Sequence, residues 1–307
     1  AGNQRTCLGK HHGKSAGDLV AMRVLVTGAG GFAGRRTAEH LYASGFDVVG
    51  TVHSRRIDVP FETVQLDLEE PWQEMGRFDA IVHAAGSVPH RTKEFCVYVR
   101  NNIDVMRQLI NYAKHYDIHR VVYFSTIGIY GEFRDENIDE NSDRINPDAY
   151  GLTKYAAECL LREEPSIQSI SLRMPGIIGH GSYGVWLPNT IEKFRRNDPV
   201  RIYSPDFATR NFVWNDDLAK FVAHLLYMDM WKYDVVCLSS HEKTTVRALV
   251  HEIKRMTISS SEIIVDNDMR APFCLNDSRA VEIGYASISP LEMVRRLCAE
   301  PNRENTR

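Results

Sequence analysis

Strand-like and helix-like segments alternate without interruption from Met22 to about Met174. Six short apolar runs read as strands: Arg23-Val24-Leu25-Val26, Asp47–Val52, Val64-Gln65-Leu66, Ala80–His83, Val121–Phe124 and Ser169–Leu172. Between them lie helical patterns. One carries Ala38, Leu41 and Tyr42 on one face and stops at Gly45; a second repeats Ile103, Met106, Leu109, Ile110 and Ala113; a third runs from Tyr150 to about Leu161. Each parallel strand pair needs a long crossover, so this alternation predicts an α/β fold with a doubly wound parallel sheet covered on both faces. Ligands of such sheets bind beyond the carboxyl ends of the strands. That rule selects the loop after Val26, the turn after Val52, Ala84-Ala85-Gly86, Thr126 and the segment after Leu172.

After Pro175 the pattern loosens. Helices are expected over 187–194, 216–227 and 290–297, and short strands over 200–203, 234–237 and 263–265. Residues 22–175 therefore read as a dinucleotide-binding domain. Residues 176–307 read mostly as a smaller C-terminal α/β substrate lobe, interleaved with the end of the sheet. Residues 1–21 form a polar tail expected to be disordered, with no apolar stretch before Leu19 and no secretory signal. Cys7, His11 and His12 in that tail lack a second half-site, so no metal is expected. Six cysteines are scattered without a Cys-x-x-Cys pair, which favours reduced thiols and a cytoplasmic location. A net charge of −3 argues against nucleic acid as a partner, and no apolar run approaches the roughly 20 residues that span a bilayer.

Thr27-Gly28-Ala29-Gly30-Gly31-Phe32-Ala33-Gly34 follows the first strand and opens a helix. Gly28 suits the tight turn, Gly31 the approach of backbone to a pyrophosphate, and Gly34 close helix–strand packing, while the helix N-terminus favours phosphate charge. At the end of the second strand, Val52-His53-Ser54-Arg55-Arg56 lacks the carboxylate that would hold two ribose hydroxyls. His53, Ser54 and Arg55 suit a 2′-phosphate instead, which favours NADP(H) and leaves NAD possible.

Reducing a ketone to an alcohol needs a hydride on carbon and a proton on oxygen. Tyr150 and Lys154 stand four apart, on one helix face. A lysine ammonium beside a phenol would lower its pKa from about 10 and make it a usable acid or base. Lys154 can also reach the nicotinamide ribose, and the Thr126 hydroxyl, ending the fifth strand, can hold the substrate oxygen.

In this order the motifs resemble the extended short-chain dehydrogenase/reductases of the nucleotide-sugar epimerase/dehydratase superfamily. The resemblance runs from about Met22 to Leu297 through Thr27–Gly34, Asp67-Leu68, His83–Gly86, Asn102, Phe124–Gly131, Tyr150–Lys154 and Leu172–Pro175. It implies a Rossmann-type sheet. It implies that Phe32 and Ala33 join the loop glycines at the cofactor, that Asp67 and Leu68 flank adenine, that Ala84, Ala85, Gly86 and Asn102 line the cofactor, and that Pro175 lies by the nicotinamide. Thr126, Tyr150 and Lys154 match the catalytic trio. Ser87, Thr126, Gly176 and Arg210 are expected to meet the substrate, Arg210 at its diphosphate. A homodimer built on the Tyr150 helix and the preceding long helix is also implied.

Sugar 4,6-dehydratases of this superfamily follow the threonine with Asp-Glu. Here Ile127-Gly128 stands in that place, and neither residue can move a proton. A 4,6-dehydratase is therefore not expected; the NADP(H) preference favours a 4-keto-sugar reductase, with a nucleotide-sugar epimerase retaining NAD as the alternative. Gly176, where many sugar-nucleotide members carry asparagine, and His180, in place of a frequent proline, depart from the sugar pattern, and the segment Arg173–Gly179 also resembles members that reduce or oxidise hydrophobic alcohols, an alternative substrate class. His180 could serve as a further acid–base group. A cofactor-binding regulatory protein is the non-enzyme alternative, and the intact trio argues against it.

Overall fold

The computed structural model describes residues 21–54, 56–89, 94–182, 184–266 and 273–300. Cys7, His11, His12 and Arg55 lie outside these residues, as does the tail up to residue 20. The strands are β1 (Arg23–Thr27), β2 (Asp47–Val52), β3 (Glu62–Gln65), β4 (Ala80–His83), β5 (Arg120–Thr126), β6 (Asn137–Ile138), β7 (Gln168–Met174), β8 (Gly176–Ile178), β9 (Val200–Tyr203), β10 (Ala208–Thr209), β11 (Phe212–Trp214), β12 (Val235–Cys237), β13 (Thr244–Thr245), β14 (Ile263–Asp266) and β15 (Cys274–Leu275). The helices are α1 (Phe32–Ala43), α2 (Phe95–Tyr98), α3 (Val105–His115), α4 (Ala149–Arg162), α5 (Trp186–Arg195), α6 (Asn215–Tyr227), α7 (Val246–Met256), α8 (Ser278–Glu282) and α9 (Pro290–Ala299).

The central sheet has seven parallel strands in the order β12-β7-β5-β4-β1-β2-β3. Its strands are apolar on both faces because both are covered. Val24, Val26, Phe124 and Leu172 pack with Ala38 and Leu41 of α1 and with Leu218 and Val222 of α6. Leu25, Ile81 and Val121 pack on the other side with Met106 and Leu109 of α3 and Ala157 and Leu161 of α4. The edge strand β12 reaches the sheet from well downstream and pairs with β7 as Val235↔Ser171 and Cys237↔Arg173.

A separate core joins Ile178, Leu187, Phe194, Ile202, Trp214, Leu249, Ile253, Met293 and Leu297. It lies among α5, α7, α9 and the two-stranded β9–β14 pair. The structure adds elements not expected from the sequence: α7, and the short parallel pairs β8–β11 and β6–β15. The third strand begins two residues earlier than expected, although Leu66 N still donates to Val52 O at 2.9 Å. Residues Val99–Asp104 form a π-helical segment between α2 and α3. Among the described residues no helix is long and apolar enough to cross a membrane.

Candidate active site

Gly28 takes φ +73°, and a Cβ there would come within 2.8 Å of the Ala85 backbone. A Cβ on Gly34 would lie 2.4 Å from Gly28 O. The turn therefore folds onto Ala84-Ala85 and brings α1 close under it. No side chain caps α1 at Gly31, and its first turn carries no acid, so its amino-terminal N–H groups and dipole face the loop unneutralised. Phe32 opens α1, and its carbonyl accepts from Asn215 Nδ2 at 3.1 Å, which ties α6 to the loop; Ala33 is partly buried behind it. A glycine cradle around a bare helix N-terminus fits a dinucleotide pyrophosphate.

At the outer end of β2, His53 and Ser54 are exposed. His53 Nε2 stands 3.4 Å from Asp67 Oδ2, so these two expected cofactor residues meet. Leu68 beside them is partly buried, its carbonyl accepting from Trp72 Nε1 at 3.3 Å and Gln108 Nε2 at 3.1 Å.

The reacting groups converge where β5 ends. Thr126 Oγ1 accepts from Gly128 N at 3.0 Å and caps the single 3-10 turn Ile127–Tyr130. Asp148 caps α4 by accepting from Gly151 N at 2.8 Å, which sets Tyr150 in the first turn and Lys154 one turn on. A Cβ at Gly151 would lie 2.1 Å from Gly128 O, so only glycine lets the helix start touch the Thr126 turn. Burial pushes Tyr150 up to about 12, and the neighbouring Thr126 hydroxyl opposes that rise. Tyr98 of α2 covers the phenol from the side, ring centroids 5.8 Å apart.

Lys154 departs from the expected arrangement. Its Nζ donates to Phe124 O at 2.5 Å and lies 4.1 Å from the centroid of the Tyr123 ring. Burial lowers it to about 7, with Glu158 one turn on opposing. Desolvation, rather than an ammonium beside the phenol, therefore dominates both groups, and it moves each toward its neutral form.

Asn102 sits in the π-helical segment, where its Nδ2 donates to Thr153 Oγ1 at 3.0 Å. Its buried Oδ1 has no partner, and it lies 3.0 Å from where a Cβ on Gly86 would stand; Lys154 Nζ is 3.8 Å from that same point. A buried acceptor without a donor beside the lysine fits a ligand hydroxyl such as that of a ribose. Gly86, Asn102 and Lys154 are thus brought together, with partly buried Ser87 following Gly86. Pro175 joins β7 to β8, which opens with exposed Gly176, paired in register with Phe212.

Arg210 is clasped by its own chain: Nε donates to Ser239 Oγ at 2.8 Å and Nη2 pairs with the Asp277 carboxylate. His180 is exposed and bonded through Nδ1 to Glu300 at 2.7 Å.

Sequence reasoning passed over several residues that shape this cluster. Tyr98, Tyr123, His83 and Asn215 all touch its members. So does a buried ion pair, in which Arg173 Nη2 donates to Glu158 Oε2 at 2.7 Å and Arg173 Nη1 to Tyr130 OH at 3.0 Å. The signal for that pair was present: Glu158 lies four residues after Lys154 on the buried face of α4, and Arg173 interrupts an apolar strand.

The sequence profile of the NAD dependent epimerase/dehydratase family matches residues 24–236. A putative UDP-glucose 4-epimerase from Methanocaldococcus jannaschii is 28% identical over 264 residues, 79% of this chain and 85% of its own. A dTDP-4-dehydro-6-deoxy-D-allose reductase from a Streptomyces species is 25% identical over 74% of this chain and 78% of its own. Among solved structures, UDP-glucuronic acid 4-epimerase from Bacillus cereus in complex with NAD superposes with a TM-score of 0.74 at 21% identity, covering 90% of this chain and 97% of its own.

Proposed function

Because this chain belongs to the NAD-dependent epimerase/dehydratase family, we propose that it transfers a hydride at a secondary alcohol or ketone of a nucleotide-linked sugar, as a 4-keto-sugar reductase. The observation that carries this reading is the cluster of Thr126, Tyr150 and Lys154 at the carboxyl end of β5. Tyr150 donates its proton to the nascent alkoxide. Thr126, beside the phenol, holds the same oxygen. Lys154 stands between Phe124 O and the unpartnered Asn102 Oδ1 side of Gly86, where a ribose hydroxyl completes its coordination. A bound nicotinamide dinucleotide supplies or accepts the hydride.

Gly28, Gly31, Phe32, Ala33 and Gly34 cradle the pyrophosphate, Asp67 and Leu68 the adenine, Ala84, Ala85, Gly86 and Asn102 the nicotinamide half, and Pro175 its ring face. Ser87, Gly176 and Arg210 meet the substrate, Arg210 by exchanging Asp277 for a diphosphate. Ile127 and Gly128 leave no proton carrier for a 4,6-dehydration. NADP(H) is favoured because no carboxylate lies within Val52–Arg56. Exposed Leu152 of α4, and Phe95 at the start of the helical run that leads into α3, support a homodimer built on α4 and α3.

A second reading, epimerisation with a retained NAD, is favoured by the names of similar proteins. The two separate in one experiment. Purified protein is mixed with NADPH or NADH and a dTDP-4-keto-6-deoxy sugar, and absorbance at the reduced nicotinamide band is followed; in parallel it is given UDP-glucose without added cofactor. Stoichiometric NADPH consumption is expected. Interconversion of UDP-glucose and UDP-galactose without net consumption would replace the reductase by the epimerase.

A further inference from the structure

In register across four parallel strands stand Thr27, His83, Tyr123 and Ser171. All four are buried. The row two residues earlier on the same face is apolar on the three strands β1, β4 and β5, with Leu25, Ile81 and Val121, as a doubly covered parallel sheet requires, and ends on β7 in half-buried Ser169. On these strands the change from apolar to polar comes at the level at which α4 lowers Lys154 onto the sheet, and Ser125 and Arg173 continue it one row on. There the contacts form a chain. Thr27 Oγ1 and His83 Nδ1 are hydrogen-bonded at 2.6 Å; the His83 ring stacks on Tyr123 at 5.6 Å and 15°; and the Tyr123 face receives the Lys154 ammonium at 4.1 Å. The Tyr123 hydroxyl is buried and has no hydrogen-bond partner, so the ring, not the oxygen, makes the contact with the lysine.

We propose that Tyr123 is a positioning residue for the reaction. Its ring face, backed by His83 and Thr27, fixes the Lys154 ammonium at the height from which it serves the Tyr150 phenol and the ribose. This rests on the role given to Lys154 above. A cation over an aromatic face in a desolvated site is held by the ring quadrupole, which favours the charged form. The titratable groups facing Lys154 fit that purpose. Glu158 on α4 favours the charge. His83 on β4 is held to about 3 by burial and by the lysine itself, so it stays neutral and adds no repulsion. Tyr150 and Tyr123 remain protonated, each raised by burial. The row also links Thr27, the residue that leads into the glycine turn, to the group that meets the other end of the cofactor.

The test uses the full chain with Tyr123→Phe, Tyr123→Leu, and phenylalanines of increasing ring fluorination at 123, which keep the shape and weaken the quadrupole. The kcat–pH profile of ketone reduction is read for each, beside Lys154→Met. Tyr123→Phe should stay within about twofold, whereas Tyr123→Leu and the most fluorinated ring should lower kcat about tenfold and move the alkaline limb about one pH unit lower. The fluorinated series keeps the test open should the leucine variant not fold. Fluorinated variants indistinguishable from Tyr123→Phe would overturn the proposal. Full activity in Lys154→Met would instead remove the role of Lys154 on which it stands.

Discussion

Replacing Lys154 with methionine should stabilise the ligand-free protein while abolishing its chemistry. Met matches the lysine stem in length and brings no charge, and Glu158 keeps Arg173 as its partner. The fully buried ammonium ionises at about 7 rather than 10.5. That difference is worth roughly 5 kcal/mol, at about 1.4 kcal/mol per pH unit. Between these two values the unfolded chain binds the proton that the folded chain has released, so wild-type stability rises with pH in that window. The penalty is absent above 10.5, grows as pH falls, and is complete below about 7. It amounts to about 4 kcal/mol at pH 7.5 and about 1.4 kcal/mol at pH 9.5. The margin of Lys154→Met over wild type should therefore shrink by about 2.5 kcal/mol between these pH values, or about 5 °C in Tm for a chain of this size. Urea unfolding at pH 7.5, 8.5 and 9.5 measures the margin, and any repacking by the methionine adds only a constant. A margin that holds steady or widens with pH would refute the placement of a strongly desolvated amine at this site.

Tyr150→Phe removes only the proton donor, so kcat should fall about 100- to 10,000-fold with dinucleotide affinity, read by fluorescence titration, nearly unchanged; turnover close to wild type would defeat the assignment. Glu158→Gln strands the buried Arg173 guanidinium and should cost about 3–5 kcal/mol in chemical denaturation, a loss that an exposed ion pair would not produce. His83, held at about 3 by burial, stays neutral while the unfolded histidine protonates below about 6.5. Acidification through that window should thus remove about 1.4 kcal/mol per pH unit. A His83→Gln chain should lack that share, and parallel acid slopes in the two proteins would contradict it.

Much of the fold was legible because its period is local. Val24, Leu25 and Val26 are apolar in succession, which only a strand covered on both faces needs, and the glycines of 28–34 stand at fixed offsets from it. The helix α7 was legible in principle: Thr245 caps Ala248 N at 3.1 Å, and Leu249, Val250 and Ile253 repeat at helical spacing. The pairs β8–β11 and β6–β15 were not, because two or three residues carry no periodicity and are defined by a partner far along the chain. The same limit applies to the site. Spacing places Tyr150 and Lys154 on one face of α4, but it does not say what the ammonium finds there. Phe124 O and the Tyr123 ring come from β5, about thirty residues upstream, and their meeting with Lys154 is a product of packing.

The late arrival of β12 has a consequence for how the protein is made. Until residues 235–237 are synthesised, β7 is an open edge, and the Arg173–Glu158 pair lies next to it without Cys237 in register beside Arg173. Cys237 also donates its N–H to Glu140 at 2.6 Å, while Glu140 O accepts from Arg173. A growing chain that has completed six strands of the central sheet therefore holds an unpaired strand and a half-sheltered pair of charges for about sixty residues more. Such an edge recruits other chains when it waits too long. Slowing translation between β7 and β12 should alter the yield of folded protein while leaving the finished molecule's activity the same.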